Sequence, residues 1–396
     1  MNPLNLLVVS TLYPNNVQFR HGVFVETRIK QLMLSEQVKI RVIAPVAWFP
    51  VKSKWFPNYS KLTDIADHEC RDTIEVYHPR YIVIPKVGML LTPLFLAISI
   101  YRQVKKLQRQ GYDFDVIDAH YYYPDGVAAA LVAKWLNKPL TITARGSDIN
   151  LIAEMPLPNR MIIWASKLAS FNWSVSQALR QRMLEIGISE QNSGVARNGV
   201  DTVVFRPTVS EIPYLNNQYK VLLSVGNLVE LKGHHLIIEA LTALPDYQLI
   251  IVGGGELENQ LKQQVKALAL QHRVHFAGEI PQQQLPAIYS RADALILASS
   301  REGWPNVLLE AMACGTPVIA TAVGGCPEIV QSPVAGILCK QRSVQGLTEA
   351  VEQLFADYPD PSMTRQYAET FSWHETTEQL LKLFTTIRQD TSTAQD

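Results

Sequence analysis

Short apolar runs alternate with helical patterns along this chain, and the alternation starts a second time near its middle. This arrangement is typical of parallel sheets in which a helix joins each strand to the next. The sequence therefore predicts the α/β class, with two Rossmann-like domains whose parallel sheets face a central cleft. The predicted strands cover residues 6–9, 40–44, 116–118, 140–143, 220–225, 248–252, 274–276, 294–298 and 318–320. The predicted helices of the first half cover residues 22–35, 126–136 and 161–169.

The chain has 396 residues, which exceeds what one ordinary core holds and suits two domains. We predict an N-terminal domain over residues 1–206 and a C-terminal domain over residues 219–372. The polar stretch 207–218 contains two prolines and two asparagines, and it is the predicted linker. A last helix is expected near residues 373–388.

The composition favours a folded protein in a reducing compartment. Hydrophobic residues make up 47% of the chain and charged residues 18%, as in globular rather than disordered proteins. The four cysteines are scattered without metal-ligand spacing, so free thiols in the cytoplasm are expected. The first apolar run follows no basic region and is too short for a signal peptide, so we expect it to form a strand.

The net charge of zero conceals an uneven distribution, because residues 1–206 carry a net +8 and the remainder a net −8. A basic half can face anionic lipid or a pyrophosphate-bearing acceptor. It can equally complement the acidic half across a domain cleft, and the two interpretations are compatible. No nucleic-acid partner is expected.

Residues 299–330 place two glutamates around a loop that turns into a helix. Glu302 precedes the predicted helix 306–314, and Glu310 lies within it. A helix N-terminus at the carboxyl end of a parallel strand attracts phosphate, because unpaired N–H groups and the helix dipole both point there. Carboxylates on both sides of a phosphate can bind a sugar and a ribose, as in a nucleotide sugar. Alternatively, Glu302 is an ordinary loop carboxylate and Glu310 a solvated helix residue.

Other polar and glycine residues follow predicted strands of the second half. Lys232, in the loop 225–233, can reach a diphosphate as a point charge or can simply be solvated. Gly253 and Gly254 follow the strand 248–252 and can bring a nucleotide close to the backbone or form a plain tight turn. Their run lacks the spacing of a dinucleotide fingerprint.

In the first half, Gly22 lies at the start of a helix, where phosphate oxygens can meet backbone N–H groups. His120 follows a strand, at the end where such sheets bind ligands, although a lone histidine is usually structural. Arg145 and Asp148 follow the next strand, and they are candidates for acceptor or phosphate contacts or for a buried ion pair.

Asp113 and Asp115 form a D-x-D sequence, a pair of carboxylates of the kind that can hold a divalent metal ion. They precede a strand instead of following one, and acidic residues are common at such turns. We therefore interpret both as structural and predict no catalytic metal.

The string S-S-R-E-G-W-P-N-V-L-L-E-A-M-A-C-G-T-P, residues 299–317, resembles the donor-site motif of the retaining family 4 glycosyltransferases, which have the GT-B fold. The resemblance extends from the first strand to about residue 385 and includes the segments around Lys232 and His120. It implies that the last helix packs back on the first domain.

The resemblance also implies roles for individual residues: Glu310 on the ribose, Glu302 on the sugar hydroxyls and Lys232 on the diphosphate. His120 is similar to a residue that contacts the donor sugar, so the implied catalytic set is Glu302, His120 and Lys232. Many family members carry arginine where this chain has Asn227, which leaves more of the phosphate binding to Lys232 and to backbone amides. The implied donor-binding residues are Gly22, Asn227, Lys232, Gly253, Gly254, Ile280, Gly303, Trp304, Asn306, Val307 and Glu310.

The resemblance implies that the protein transfers a hexose from a UDP- or GDP-sugar to a glycan or lipid-linked acceptor. The implied transfer needs no metal ion and retains the anomeric configuration. Bacterial polysaccharide biosynthesis is the implied setting, and no cofactor besides the donor is expected. The alternative is a nucleotide-sugar-binding protein without transfer activity. A dehydrogenase is disfavoured because the dinucleotide fingerprint is missing.

The apolar stretch 89–100 has only 12 residues, whereas a helix that spans a bilayer needs about 20. Four basic residues follow at helical spacing and share one face. They are Arg102, Lys105, Lys106 and Arg109. Upstream, the stretch 46–55 interleaves aromatic rings with Lys52 and Lys54. These features predict either peripheral attachment to the anionic inner face of the plasma membrane, or an ordinary solvated helix and loop.

Overall fold

The computed structural model describes residues 3–48, 62–83, 88–209 and 215–393, and the chain divides into two compact units. The first unit contains Met1–Arg197 and His374–Asp396, and the second contains Asn198–Trp373. Each unit is built around one large sheet that is wholly or mostly parallel. The α/β class and the pair of Rossmann-like domains are therefore confirmed.

The first unit alternates strands and helices as predicted, with additional short strands between the second and third predicted ones and two more after the fourth. Its strands are β1 (Leu4–Val9), β2 (Val38–Ile43), β3 (Val46–Trp48), β4 (His68–Arg71), β5 (Ile74–Tyr77), β6 (Arg80–Ile82), β7 (Val116–His120), β8 (Leu140–Ala144), β9 (Phe171–Ser174) and β10 (Ser193–Val195). Its first helices are α1 (Val23–Met33), α2 (Thr92–Arg109), α3 (Val127–Leu136), α4 (Ser147–Asn150), α5 (Pro156–Leu168) and α6 (Gln177–Glu185).

The second unit repeats the alternation. Its strands are β11 (Lys220–Val225), β12 (Tyr247–Val252), β13 (Val274–Gly278), β14 (Ala294–Leu297), β15 (Val318–Thr321) and β16 (Gly336–Cys339). Its helices are α7 (His234–Ala240), α8 (Glu258–Ala267), α9 (Leu285–Arg291), α10 (Asn306–Ala313), α11 (Cys326–Ile329), α12 (Val344–Ala356) and α13 (Pro361–Glu369). The central strands are continuous apolar runs, because helices cover both faces of a parallel sheet.

The order of the strands locates one switch point in each large sheet. The first sheet runs β10-β9-β8-β7-β1-β2-β5-β4, and only its β4–β5 pair is antiparallel. The second sheet runs β13-β12-β11-β14-β15-β16 and is parallel throughout. The direction of winding reverses between β1 and β7 and between β11 and β14. Open α/β sheets bind ligands in the crevice at the carboxyl ends of such strands.

The last helix, α14 (Trp373–Thr393), returns to the first unit. Its apolar side joins the core formed by β1, β2 and α1. The buried α14 residues in this core are Leu380, Leu381, Phe384 and Ile387. The helix was expected near residues 373–388, and its packing shows why one of its sides is apolar.

The boundary between the units falls earlier than residue 206. Residues 198–206 lie in the second unit. Two long-range hydrogen bonds hold them there: the Trp304 indole donates to the carbonyl of Asn198 at 2.9 Å, and the Val200 N–H donates to the carbonyl of Phe371 at 2.9 Å. Residues 210–214 of the predicted linker lie outside the described residues.

Candidate donor site in the second unit

A lysine–glutamate pair lies at the switch point of the second sheet, on the loops that follow β11 and β14. The Nζ of Lys232 is 2.5 Å from Oε1 of Glu302. The hydroxyl of Ser299 donates to the same oxygen at 2.6 Å. The side chains of Lys232 and Glu302 are 21% and 10% exposed, so both are largely covered yet still reach solvent. The structure thus brings together Lys232, for which the resemblance implied a diphosphate contact, and Glu302, for which it implied a contact with sugar hydroxyls.

The helix α10 begins directly after this loop. Pro305 is its N-cap, one position before the first helical turn, and Asn306 is its first residue. The Asn198 amide donates to the Asn306 side-chain oxygen at 3.2 Å. The first N–H groups of a helix have no acceptor within the helix, so they and the dipole favour an anion beside Gly303 and Val307.

Trp304 supports this loop from inside. Its indole ring is buried, with Nε1 donating to the Asn198 carbonyl and the ring centroid 6.3 Å from that of Phe371. The side chain therefore fixes the loop to the start of the second unit. A donor contact of Trp304 through its backbone stays a prediction.

Glu310 lies one turn into α10 and is held by a tyrosine that sequence analysis missed. The hydroxyl of Tyr289 donates to Oε2 of Glu310 at 2.8 Å, and Tyr289 is fully buried in α9. This hydrogen bond fixes the orientation of the carboxylate. A carboxylate held in this way suits the recognition of a ribose hydroxyl pair.

The loop after β11 is held by a second missed residue, His234. Its Nε2 lies 3.3 Å from the carbonyl oxygen of Asn227, and its Nδ1 lies 3.0 Å from Oγ of Ser224. A carbonyl only accepts, so Nε2 carries the proton and Nδ1 accepts from the serine hydroxyl. Burial lowers the pKa of His234 to about 4, which keeps the ring neutral. The Asn227 side chain is exposed on the same loop.

The ends of β12 and β13 bring Gly253, Gly254 and Ile280 to the same edge of the sheet. The N–H of Gly253 donates to the carbonyl of Gly278 at 2.8 Å. A Cβ on Gly253 would lie 1.9 Å from the carbonyl oxygen of Gly226, and the φ of Gly253 is 140°. Two strand-end loops therefore touch at a point where only glycine fits.

This contact predicts unequal effects for two glycines of positive φ. Gly253→Ala is expected to lower the free energy of unfolding by about 1–2 kcal/mol more than Gly278→Ala, through overpacking against the Gly226 carbonyl. Gly278 has φ 69° but open space around its Cβ position, so its replacement adds only the left-handed strain of about 1–2 kcal/mol. Urea denaturation of both variants provides the measurement. Equal losses in the two would contradict the proposed contact.

In the first unit, His120 ends β7 and is fully buried. The Arg145 guanidinium donates to His120 Nδ1 at 2.6 Å, and Asp118 Oδ2 lies 3.2 Å from Nε2. The proton of the neutral ring is therefore on Nε2, which faces Asp118. Burial lowers the pKa of His120 to about 4 against the opposing effect of Asp118, while Arg145 lowers it further. The ring is enclosed by protein groups, and its contact with a donor sugar stays a prediction.

Arg145 and Asp148 follow β8; Asp148 is fully buried and Arg145 is partly buried. The Asp148 carboxylate accepts backbone N–H groups of Tyr122 at 2.8 Å and of Gly146 at 2.8 Å, so it shapes the turn. The Arg145 guanidinium also lies 5.2 Å above the Phe24 ring. In this conformation the pair organises the strand-end loops around His120, and its predicted contacts with an acceptor or phosphate stay predictions.

Gly22 is the N-cap of α1, with φ 71°. A Cβ there would lie 2.2 Å from the carbonyl oxygen of Leu12, so the loop after β1 packs directly on the helix start. This close approach explains the glycine. A phosphate contact of its N–H stays a prediction.

Asp113 and Asp115 make contacts with other residues of the first unit, as their position before β7 suggested. Asp113 pairs with Lys138 at 3.1 Å, and Asp115 accepts the N–H of Asn5 at 2.8 Å. Within the described residues, no three His, Cys, Asp or Glu side chains form a group that could hold a metal ion. No helix in the same part of the chain is long and apolar enough to cross a membrane.

Comparison with known families gives two matches that adjoin each other. Glycosyltransferase family 4 matches residues 34–204, and glycosyl transferases group 1 matches residues 205–371. A Bacillus subtilis glycosyltransferase assigned to teichuronic acid biosynthesis, TuaC, is 29% identical over 359 residues, which cover 88% of each chain.

Two solved structures illustrate the likeness in fold. A sucrose-phosphate synthase from Thermosynechococcus elongatus has a TM-score of 0.78 and 18% identity, over 97% of this chain and 99% of its own. Anabaena HepE, solved in complex with UDP-glucose, has a TM-score of 0.71 and 20% identity, over 97% of this chain and 100% of its own. At these identities, the likeness establishes the GT-B fold.

Proposed function

Since this chain belongs to the family 4 glycosyltransferases, we propose that it transfers a hexose from a nucleoside diphosphate sugar to a glycan or lipid-linked acceptor, with retention of configuration. Its proposed setting is bacterial polysaccharide biosynthesis, as for the TuaC relative. The observation that carries the proposal is the pairing of Lys232 with Glu302 beside the N-terminus of α10.

The proposed donor position follows from the charges of these groups. The diphosphate lies between Lys232 and the first N–H groups of α10, which together offset its negative charge. Glu310, fixed by Tyr289, accepts hydrogen bonds from the ribose. Glu302 has one oxygen engaged by Lys232 and Ser299, and its second carboxylate oxygen binds sugar hydroxyls.

The proposed reaction needs no covalent intermediate. The acceptor oxygen attacks the anomeric carbon from the face that the diphosphate leaves, and the bond between that carbon and the phosphate oxygen breaks. The departing phosphate oxygen takes the acceptor proton. Lys232 and α10 stabilise the charge that develops on the leaving diphosphate, which is electrostatic catalysis by groups already in place.

The proposal is tested with a panel of UDP- and GDP-hexoses, in the presence of membranes that contain endogenous acceptors. Release of nucleoside diphosphate and transfer of labelled sugar identify the donor, and NMR of the product gives the anomeric configuration. An α-linked donor should give an α-linked product. An inverted product would contradict retention, and donor binding without turnover would favour the alternative, a nucleotide-sugar-binding protein without transfer activity.

We further expect activity to be independent of divalent ions, because Lys232 and the α10 N-terminus already supply positive charge for the diphosphate. Transfer measured in EDTA should equal transfer with added Mg²⁺ or Mn²⁺. Full loss in EDTA that either ion reverses would show that a metal carries the phosphate charge instead.

The state of the cysteines leads us to propose that the protein works in a reducing compartment. All four are free thiols, with Cys70 exposed and the other three buried. Burial raises the pKa values of the Cys314 and Cys326 thiols to about 12, which makes both unreactive. Free thiols of this kind are typical of the cytoplasm, where we place the reaction.

A further inference from the structure

Three neighbouring helices of the first unit carry only positive charge. Helix α2 packs against α3, and α3 packs against α5. None of the three contains an aspartate or glutamate, although acidic and basic residues are equally frequent in the whole chain. Their basic residues are Arg102, Lys105, Lys106, Arg109, Lys134, Arg160 and Lys167. Helices α1 and α14, elsewhere in the same unit, do contain acidic residues.

Helix α2 presents apolar and basic residues along one line. Leu91, immediately before the helix, and Leu94 are exposed. Arg102 and Arg109 are exposed farther along, eight and fifteen residues after Leu94, and these spacings place them on the same side of the helix. The exposed side of α2 therefore changes from apolar at its start to basic at its end.

Helix α5 exposes a second apolar line. Leu157, Trp164 and Leu168 are separated by seven and four residues, which puts them on one side. Between α2 and α5, Trp135 of α3 is exposed and its ring lies 5.5 Å from that of Tyr101. The three helices expose five large apolar residues, and Leu91 immediately before α2 is a sixth. All six are between 36% and 49% accessible, and the five within the helices are Leu94, Trp135, Leu157, Trp164 and Leu168.

We propose that the three-helix surface, the exposed side of α2, α3 and α5, binds an anionic lipid membrane. Leucine and tryptophan side chains exposed together in water gain free energy by entering the lipid interface, where tryptophan rings are favoured. Seven cations with no acidic neighbour on the same helices attract anionic headgroups. An acidic protein partner could meet the cations, but the two separate apolar lines match a broad lipid interface better.

The surface goes beyond the proposed transfer reaction, and its test needs neither donor nor acceptor. None of its residues belongs to the donor site. The predicted upstream contribution of Lys52 and Lys54 lies outside the described residues, so the inference rests on the three helices alone.

The first measurement is flotation of the full chain with vesicles of phosphatidylcholine, with and without phosphatidylglycerol. Binding is expected only with phosphatidylglycerol and should weaken as salt increases, because salt screens exposed charges. A chain that does not float with phosphatidylglycerol vesicles at low salt would overturn the proposal.

The charge is tested with the double variant R102Q/R109Q. Each arginine near an anionic surface contributes about 1 kcal/mol, so the double variant should bind roughly thirtyfold more weakly. The matched control is K266Q/K382Q, which removes the same charge from exposed positions on α8 and α14. Thermal unfolding of all variants confirms that they are folded. Equal binding by the two double variants would overturn the surface assignment.

The apolar lines are tested with L94S/W164S, in which both substituted residues are exposed and should be tolerated. Its binding to phosphatidylglycerol vesicles should fall about tenfold or more, because apolar area no longer enters the interface. Sedimentation velocity without lipid tests whether a second copy of this chain, instead of a membrane, covers the three-helix surface. A wild-type dimer that this variant abolishes would overturn the membrane assignment.

Discussion

Replacing Lys232 by alanine should weaken nucleoside diphosphate binding a few hundredfold. A hydrogen bond to a charged group contributes about 1.5–3 kcal/mol, and this contribution is lost. The substitution also leaves Glu302, which is only 10% exposed, without its partner 2.5 Å away. Repulsion between this carboxylate and the diphosphate adds about 1 kcal/mol or more. Calorimetry with UDP and GDP measures the loss.

Glu302→Gln should have the opposite effect on binding. The amide removes the negative charge next to the diphosphate, so affinity for the nucleoside diphosphate should stay unchanged or increase. Turnover should fall about tenfold to a hundredfold, because the charged hydrogen bonds to the sugar are lost. Combining the two substitutions should recover part of the binding that Lys232→Ala removes. A double variant that binds nucleoside diphosphate no better than Lys232→Ala alone would contradict the pairing of Lys232 with Glu302.

A second lysine–glutamate ion pair in the same unit serves as a control. It shows what the loss of an ion pair does when the pair lies outside the donor site. Lys262 and Glu258 lie 2.6 Å apart on α8, with side chains that are 51% and 42% exposed. Surface pairs of this kind contribute about 0–1 kcal/mol to stability. Lys262→Ala and Glu258→Gln should leave nucleotide binding and turnover unchanged.

The donor loop could be predicted from sequence because its signals are local. An apolar run gave β14, and the bounds of α10 followed from Pro305, which suits a helix start, and Gly315, which suits the position just past a helix end. The predicted helix 306–314 differs from the observed Asn306–Ala313 by one residue. The residues that hold these site residues in place by long-range hydrogen bonds could not be predicted in the same way. Tyr289 is 21 positions from Glu310, and nothing in its own segment shows that its hydroxyl meets a carboxylate.

His120 illustrates a different limit of sequence analysis. Its position at a strand end was predicted correctly, but the enclosure of its ring depends on Asp118 and Arg145, which converge from two strands. The observed boundary between the units lies after residue 197 instead of the predicted 206 for a similar reason. Trp304 holds Asn198 in the second unit from 106 positions away. Long-range polar contacts leave no periodic signal.

Glu310→Ala should weaken nucleoside diphosphate binding about tenfold to a hundredfold, because the ribose loses charged hydrogen bonds. Tyr289→Phe keeps the carboxylate but removes the hydroxyl that orients it, so a loss of about threefold to tenfold is expected. Inorganic pyrophosphate lacks the ribose, and its competition for the site should be unchanged in both variants. Calorimetry with UDP, GDP and pyrophosphate separates these effects. Equal losses for nucleotide and pyrophosphate would place Glu310 away from the ribose, and wild-type nucleotide affinity in Glu310→Ala would remove it from the site.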